Sequence, residues 1–204
     1  GYGILSLPKN AANGQISVTI KGKTVMQMLK NGNFKNGTTN WIAENATNFT
    51  VTNGIAKFTV TASYGRLRQF IYLIKGHKYY LVGYVKADSN TVHMDIAGSG
   101  KTYHSGSGNW EKLATILQWN ADSEYFPYGI RDSRSSNWTP IQVTNCMVID
   151  LTAYGLDNAS VSELNDIFPY YIDYGTKSTL SARVKSVGKN LFHPKHALKK
   201  PQYS

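Results

Sequence analysis

The chain has 204 residues, 22 Lys and Arg against 12 Asp and Glu, a formal net charge of +10, and one cysteine. That length favours one sizeable domain with flanking segments, and a single cysteine excludes an internal disulfide framework. No run of about 18 apolar residues offers a membrane-spanning helix, while the basic balance points to a polyanionic partner: nucleic acid, an anionic surface or an acidic polymer.

Gly1-Tyr2-Gly3-Ile4 carries neither a basic-then-apolar signal pattern nor an initiator Met, so an excised or processed chain is expected. Residues 1–25 read as an extended connector arm, with Ile16, Val18 and Ile20 alternating against polar partners. The compact part is expected to begin near Met26. Residues 49–61 predict a hairpin around Asn53-Gly54, a pair that accepts the positive φ of a type I′ turn. Long strands are expected over 66–74 and 78–87, on either side of Lys75-Gly76-His77. Further strands are expected over 91–97, 110–117, 125–131 and 141–152. Short strands at regular spacing, joined by Gly-, Asn- and Ser-rich turns, predict an all-β fold: an antiparallel β-sandwich of jelly-roll type.

Ser160-Val161-Ser162-Glu163 has the form of a capping box, in which hydroxyl and carboxylate each serve an orphan backbone amide. Leu164, Ile167 and Phe168 give the following helix an apolar face, and Pro169 stops it. This short helix is expected to close the end of the sandwich. The predicted organisation is therefore an arm over 1–25, a sandwich over 26–157, a helix and closing segment over 158–175, and a basic connector over 176–204. Ser17-Val18-Thr19-Ile20-Lys21-Gly22 echoes Ser181-Ala182-Arg183-Val184-Lys185-Ser186, as connector strands between successive modules would.

Catalytic and metal chemistry find little support. Ile96-Ala97-Gly98-Ser99-Gly100-Lys101-Thr102 imitates a phosphate loop, but Asp95 stands where the motif needs glycine, so it reads as a turn. The histidines lack ligand spacing. His77 reads as a solvated turn residue, whereas His93 alternates with Val92 and Met94 and is a candidate groove residue. Cys146, in an apolar run, reads as a buried inert thiol. No acid/base carboxylate pair and no nucleophile elbow can be read, and no nucleic-acid motif appears. A non-catalytic binding protein is expected. Its 14 Tyr, 7 Phe and 4 Trp supply stacking surfaces as well as core.

Leu29-Lys30-Asn31-Gly32-Asn33-Phe34-Lys35-Asn36-Gly37-Thr38-Thr39-Asn40-Trp41 resembles the opening strand of jelly-roll carbohydrate-binding modules attached to xylanases and cellulases. The likeness continues through Gly65-Arg66-Leu67-Arg68-Gln69, Gly76-His77-Lys78-Tyr79-Tyr80, Val85-Lys86-Ala87, Asn109-Trp110-Glu111-Lys112 and Val148-Ile149-Asp150-Leu151. A narrower one resembles tail or baseplate proteins of phages infecting Gram-positive bacteria. It runs through Met147–Thr152, the capped helix, Pro169-Tyr170-Tyr171, Gly175-Thr176-Lys177-Ser178-Thr179-Leu180-Ser181 and Val187-Gly188-Lys189-Asn190-Leu191-Phe192.

These resemblances imply a glycan-binding virion protein, made in the host cytoplasm, that attaches a tail to cell-wall polysaccharide or teichoic acid. Its further partners would be other tail proteins or modules, with neither nucleic acid nor membrane. A module of a secreted bacterial glycanase and a purely structural tail spacer are the alternatives. The family often holds structural calcium against a last-strand aspartate, matched here by Asp150. Lys35 replaces the usual nearby glutamate, so no metal or cofactor is expected. Trp41 and Trp110 correspond to residues that pack structurally in the family. Trp119 and Trp138, beside polar loops, are the expected sugar platforms, with Tyr128, Arg131, Arg134 and His93 completing the site. An arginine there would hold a phosphate or sugar acid bidentately.

Overall fold

The structure, a computed structural model, describes residues 24–175 and 178–179. In chain order the first strands are β1 (Thr24–Val25), β2 (Ile42–Glu44), β3 (Ala46–Thr52), β4 (Ile55–Val60), β5 (Gly65–Leu73) and β6 (Lys78–Lys86). There follow β7 (Val92–Ile96), β8 (Ser99–Tyr103), β9 (Trp110–Gln118), β10 (Glu124–Asp132) and β11 (Ile141–Asp150). Two short helices, α1 (Leu151–Tyr154) and α2 (Val161–Ile167), precede β12 (Ser178–Thr179). The front sheet has the order β2-β5-β10-β7-β8, the back sheet β3-β4-β11-β6-β9, and β1 pairs with β12. Strand pairs within both main sheets are antiparallel. The antiparallel sandwich expected from the alternation is present.

Alternation decides which side chains meet between the sheets. On β5, Leu67, Ile71 and Leu73 are buried while Arg66, Arg68, Phe70 and Tyr72 take the other face. Met94, Ile96, Tyr128 and Ile130 join them from the front sheet, and Phe58, Leu81, Val85, Val143 and Val148 from the back. Each such side chain contributes roughly 1.5–3 kcal/mol on burial. Trp41 closes this core against Phe34, at 4.9 Å between ring centroids, and Tyr128, at 6.1 Å. Cys146 is fully buried, and desolvation pushes its thiol up to about 12, so it is inert at neutral pH. The Asn53-Gly54 turn has φ of 50° and 74°, as the dipeptide predicts. The phosphate-loop imitation is a turn at Ala97-Gly98 followed by β8.

The back sheet is apolar on both faces, since β6 buries Tyr80 and Val82 as well as Leu81. Helix α2 supplies the cover. Ser160 accepts from the Glu163 amide, and the Glu163 carboxylate accepts in return from the Ser160 amide. Leu164 and Phe168 are buried, Phe168 lies 5.9 Å from the Tyr80 ring, and the Tyr80 hydroxyl donates to Asn165 at 2.7 Å. The helix therefore lies on the outside of the back sheet instead of closing an end. The chain then returns toward the opening turn, where Asn33 Nδ2 donates to Asp173 at 2.7 Å. Gly32 is required there, because a Cβ would sit 2.0 Å from the Cys146 carbonyl oxygen. The expected connector arms and their sequence echo lie, apart from β1 and β12, outside the described residues, as does the tail-protein likeness beyond Thr179.

Candidate functional site

The expected aromatic platforms separate on inspection. Trp119 is 5% exposed, its ring 4.3 Å from Phe126 and its indole N–H donating to the Asp122 carbonyl at 3.1 Å. Tyr128 is fully buried, with its hydroxyl donating to the Val82 carbonyl at 2.8 Å and lying 3.2 Å from Met94 Sδ. Neither ring has an open face, so both are core residues and not platforms. The polar loop beside Trp119 turns around the ring without exposing it. Trp138 is half-buried against the core and donates to the Arg134 carbonyl at 3.2 Å. Arg134 is taken up by its own loop, with Asp132 at 2.7 Å and Thr139 at 2.8 Å. Trp110, expected to pack, is 40% exposed, whereas Trp41 is buried.

His93 and Arg131 do come together. They face each other across β7 and β10, on the outward side of the front sheet, and both are buried there. His77 is not a free turn residue: its Nδ1 lies 2.9 Å from Asp150, whose other oxygen accepts from the Ala153 amide and caps α1. Asp150 is thus a structural cap and hydrogen-bond partner of His77. Lys35 is exposed in the opening turn. Among the described residues no group of three or more His, Cys, Asp or Glu is placed to hold a metal ion.

The register of the front sheet arranges its outward side chains in rows. One row runs Glu44, Arg66, Arg131, His93 and Tyr103 across all five strands. The next runs Ile42, Arg68, Gly129 and Asp95. Phe70 opposes Pro127 in the third, and Tyr72 opposes Tyr125 in the fourth. The face is therefore charged at one end and aromatic at the other.

At the charged end Glu44 binds Arg66 and lies 2.9 Å from Arg68 Nε. The hydrogen bond from Arg66 is the main reason its carboxyl titrates below the usual range. Arg131 Nη2 lies 2.9 Å from Asp95 Oδ1, and His93 Nε2 3.7 Å from Asp95 Oδ2. Burial lowers the Arg131 pKa, with Asp95 opposing the shift. Short as these contacts are, Arg131 Nε and Nη2, both Asp95 oxygens and His93 Nε2 lack an aligned hydrogen-bond partner among the described residues. The His93 ring lies tilted against Tyr103, at 4.8 Å between centroids.

At the aromatic end Phe70, Tyr72 and Tyr125 are 47%, 46% and 64% exposed. Tyr72 and Tyr125 meet edge to face at 5.2 Å. Strand β2 pairs only with residues 66–68, leaving the rest of this β5 edge beside a depression of about 410 Å3 rimmed by Lys30, Asn40 and Tyr174. Lys30 is fixed there through two hydrogen bonds between its backbone and the Gln69 amide, and its ammonium lies 5.5 Å over Tyr174. Arg68 stacks 4.5 Å over Phe70 and joins the two ends. Sequence reasoning missed this cluster. Its signal was the pairing of Phe70 and Tyr72 with Arg66 and Arg68 on one side of a predicted strand.

No family model matches the chain, and no curated protein matches it. Among solved structures, the chain is similar to one described as "CBM4 structure and function", at 17% identity and a TM-score of 0.45, covering 59% of this chain and 98% of that one. It is also similar to a Stig cyclase, Fisc from Fischerella sp. TAU, in complex with (3Z)-3-(1-methyl-2-pyrrolidinylidene)-3H-indole. That match has 11% identity and a TM-score of 0.43, covering 62% of this chain and 98% of that one.

Proposed function

We propose that this protein is a non-catalytic glycan-binding module that holds polysaccharide on the outward face of its front sheet. The observation carrying this reading is the row of half-exposed rings, Phe70, Tyr72 and Tyr125, continuous with a polar row on a rigid sheet. Sugar rings present C–H faces that pack on aromatic side chains, and their hydroxyls need donors and acceptors such as Lys30, Asn40 and Arg68. Glu44 and Asp95 are each engaged by arginines, an arrangement suited to orienting a ligand more than to exchanging protons. The tail-protein likeness of the capped helix and its flanks supports a finer reading, in which the module attaches a phage tail or baseplate to host cell-wall polysaccharide or teichoic acid.

Affinity electrophoresis through gels containing cell-wall polysaccharides tests the binding. Wild-type protein should be retarded by at least one of them. Tyr125→Ala should weaken that retention about tenfold, equivalent to roughly 1.4 kcal/mol, with the melting curve nearly unchanged. Failure of every polysaccharide and of intact Gram-positive walls to retain the protein would overturn the reading.

A further inference from the structure

We propose that the glycan site continues off the sheet into a second depression, at the opening turn, which receives an anionic unit of the bound chain beside Lys30 and Lys35. The inference rests on the glycan-binding reading and adds to it a place for negative charge on the ligand.

The second depression, of about 370 Å3, adjoins the one beside the aromatic rows, since Lys30, Asn40 and Tyr174 line both. Its other walls are of different chemistry. Phe70, Tyr72 and Tyr125 belong to the first depression, whereas Lys35, Asn36 and Asp173 line the second. A chain stacked on the exposed rings therefore passes Lys30 and Tyr174 into polar surroundings without leaving a groove.

The opening turn is braced from within. Asn31 Nδ2 donates to the carbonyls of Gly37, at 3.0 Å, and Thr39, at 2.9 Å, while its Oδ1 accepts from the Asn36 amide at 3.0 Å. Asn33 holds the opposite wall through Asp173, at 2.7 Å, and accepts from the Lys35 amide at 3.3 Å. These two side chains are committed to the shape of the depression, so little ordering remains to oppose binding. Those of Lys35, Asn36 and Asn40 are exposed and make no hydrogen bond or ion pair among the described residues.

Charge decides the class of ligand. Lys30 and Lys35 bring two ammonium groups to the depression, against the single carboxylate of Asp173, one of whose oxygens already accepts from Asn33. The contact of Lys30 with Tyr174 is made to the ring, 5.5 Å from its centroid, and leaves the ammonium without a carboxylate. An ammonium is a point charge with three donors and takes carboxylate or phosphate oxygens alike. The Asn36 and Asn40 amides each offer a donor and an acceptor to neighbouring hydroxyls. A hydroxylated anion, either a sugar acid or a polyol phosphate, matches this set.

The full chain should be titrated at low salt with polygalacturonate, a ribitol-phosphate teichoic acid and neutral xylan. Lys86, exposed on the outward face of the back sheet, supplies the control, because Lys86→Glu and Lys35→Glu have the same net charge. Lys35→Glu should weaken at least one acidic polymer about tenfold, while Lys86→Glu weakens it less than about threefold. Neither should alter binding of xylan, and the polymer that responds identifies carboxylate or phosphate. Lys35→Gln, which removes the charge without reversing it, should lose part of the same affinity. Tyr125→Ala should weaken every polymer that binds. Equal losses in Lys35→Glu and Lys86→Glu would assign the effect to net charge and overturn the subsite, leaving glycan binding standing. So would acidic binding untouched by Lys35→Glu, or retention of xylan with neither acidic polymer bound. Failure of all three polymers to bind would overturn the glycan reading itself and this inference with it.

Discussion

Glu111 shows how a single loop tunes one carboxylate. Hydrogen bonds from the Ser105 hydroxyl and then the Ser107 hydroxyl, with a further one from the Ser105 amide, bring its pKa down to about 2. The unfolded chain should hold this group near the ordinary ~4.3. A depressed folded-state pKa contributes stability that is complete above the unfolded value and is lost as pH falls toward the folded one. The melting temperature should therefore decline between about pH 4.5 and pH 2, and Glu111→Gln should make that decline shallower. An unchanged acid limb in the variant would show that the serine contacts do not persist in solution.

The aromatic residues divide just as sharply. Trp119 and Tyr125 both neighbour polar loops, but one ring is enclosed and the other is 64% exposed. Trp119→Ala should cost about 3–5 kcal/mol, the range for deleting a large core side chain, whereas Tyr125→Ala should leave chemical denaturation almost unmoved. Local polarity in the sequence could not separate them, because it describes the neighbours of a side chain and not the direction in which the ring turns. Strand alternation did carry that information for β5, where Arg66, Arg68, Phe70 and Tyr72 share a parity. What the sequence alone could not supply was register. Only pairing across β10 and β7 sets Gly129 between Arg68 and Asp95.

At the scale of elements, the hairpin turn, the long strands and the capped helix were legible because each rests on local chemistry: an Asn-Gly pair, period-two burial, a serine and a glutamate three residues apart. The place of the helix was not. It depends on β6 being apolar on both sides, so that the back sheet needs a cover on the face away from the core. Leu164 and Phe168 provide it over Tyr80. A sandwich cut after residue 157 should therefore expose Tyr80, Val82 and Met147 and either aggregate or melt well below the full chain. A fragment ending at residue 175 should behave better, since it keeps the Asn33–Asp173 contact. Equal stability of the two fragments would show that the helix is an accessory to an already complete sandwich.

For the molecule as a whole, a net charge of +10 and an aromatic face act over different distances. Charge attraction to a polyanion extends about 10 Å at 0.1 M salt and only about 3 Å at 1 M. Contact between a sugar ring and an aromatic side chain is short-ranged and barely notices salt. On the proposed function, attachment to Gram-positive cell walls should accordingly have two separable parts. Raising salt from 0.1 to 1 M should weaken retention of the wild-type protein and leave a residual that Tyr125→Ala removes. In the variant at low salt, the electrostatic part should persist alone. Retention indifferent to both salt and Tyr125→Ala would mean that the front face does not contact the wall. Absence of any retention, at either salt, would leave a purely structural spacer as the better account of the fold.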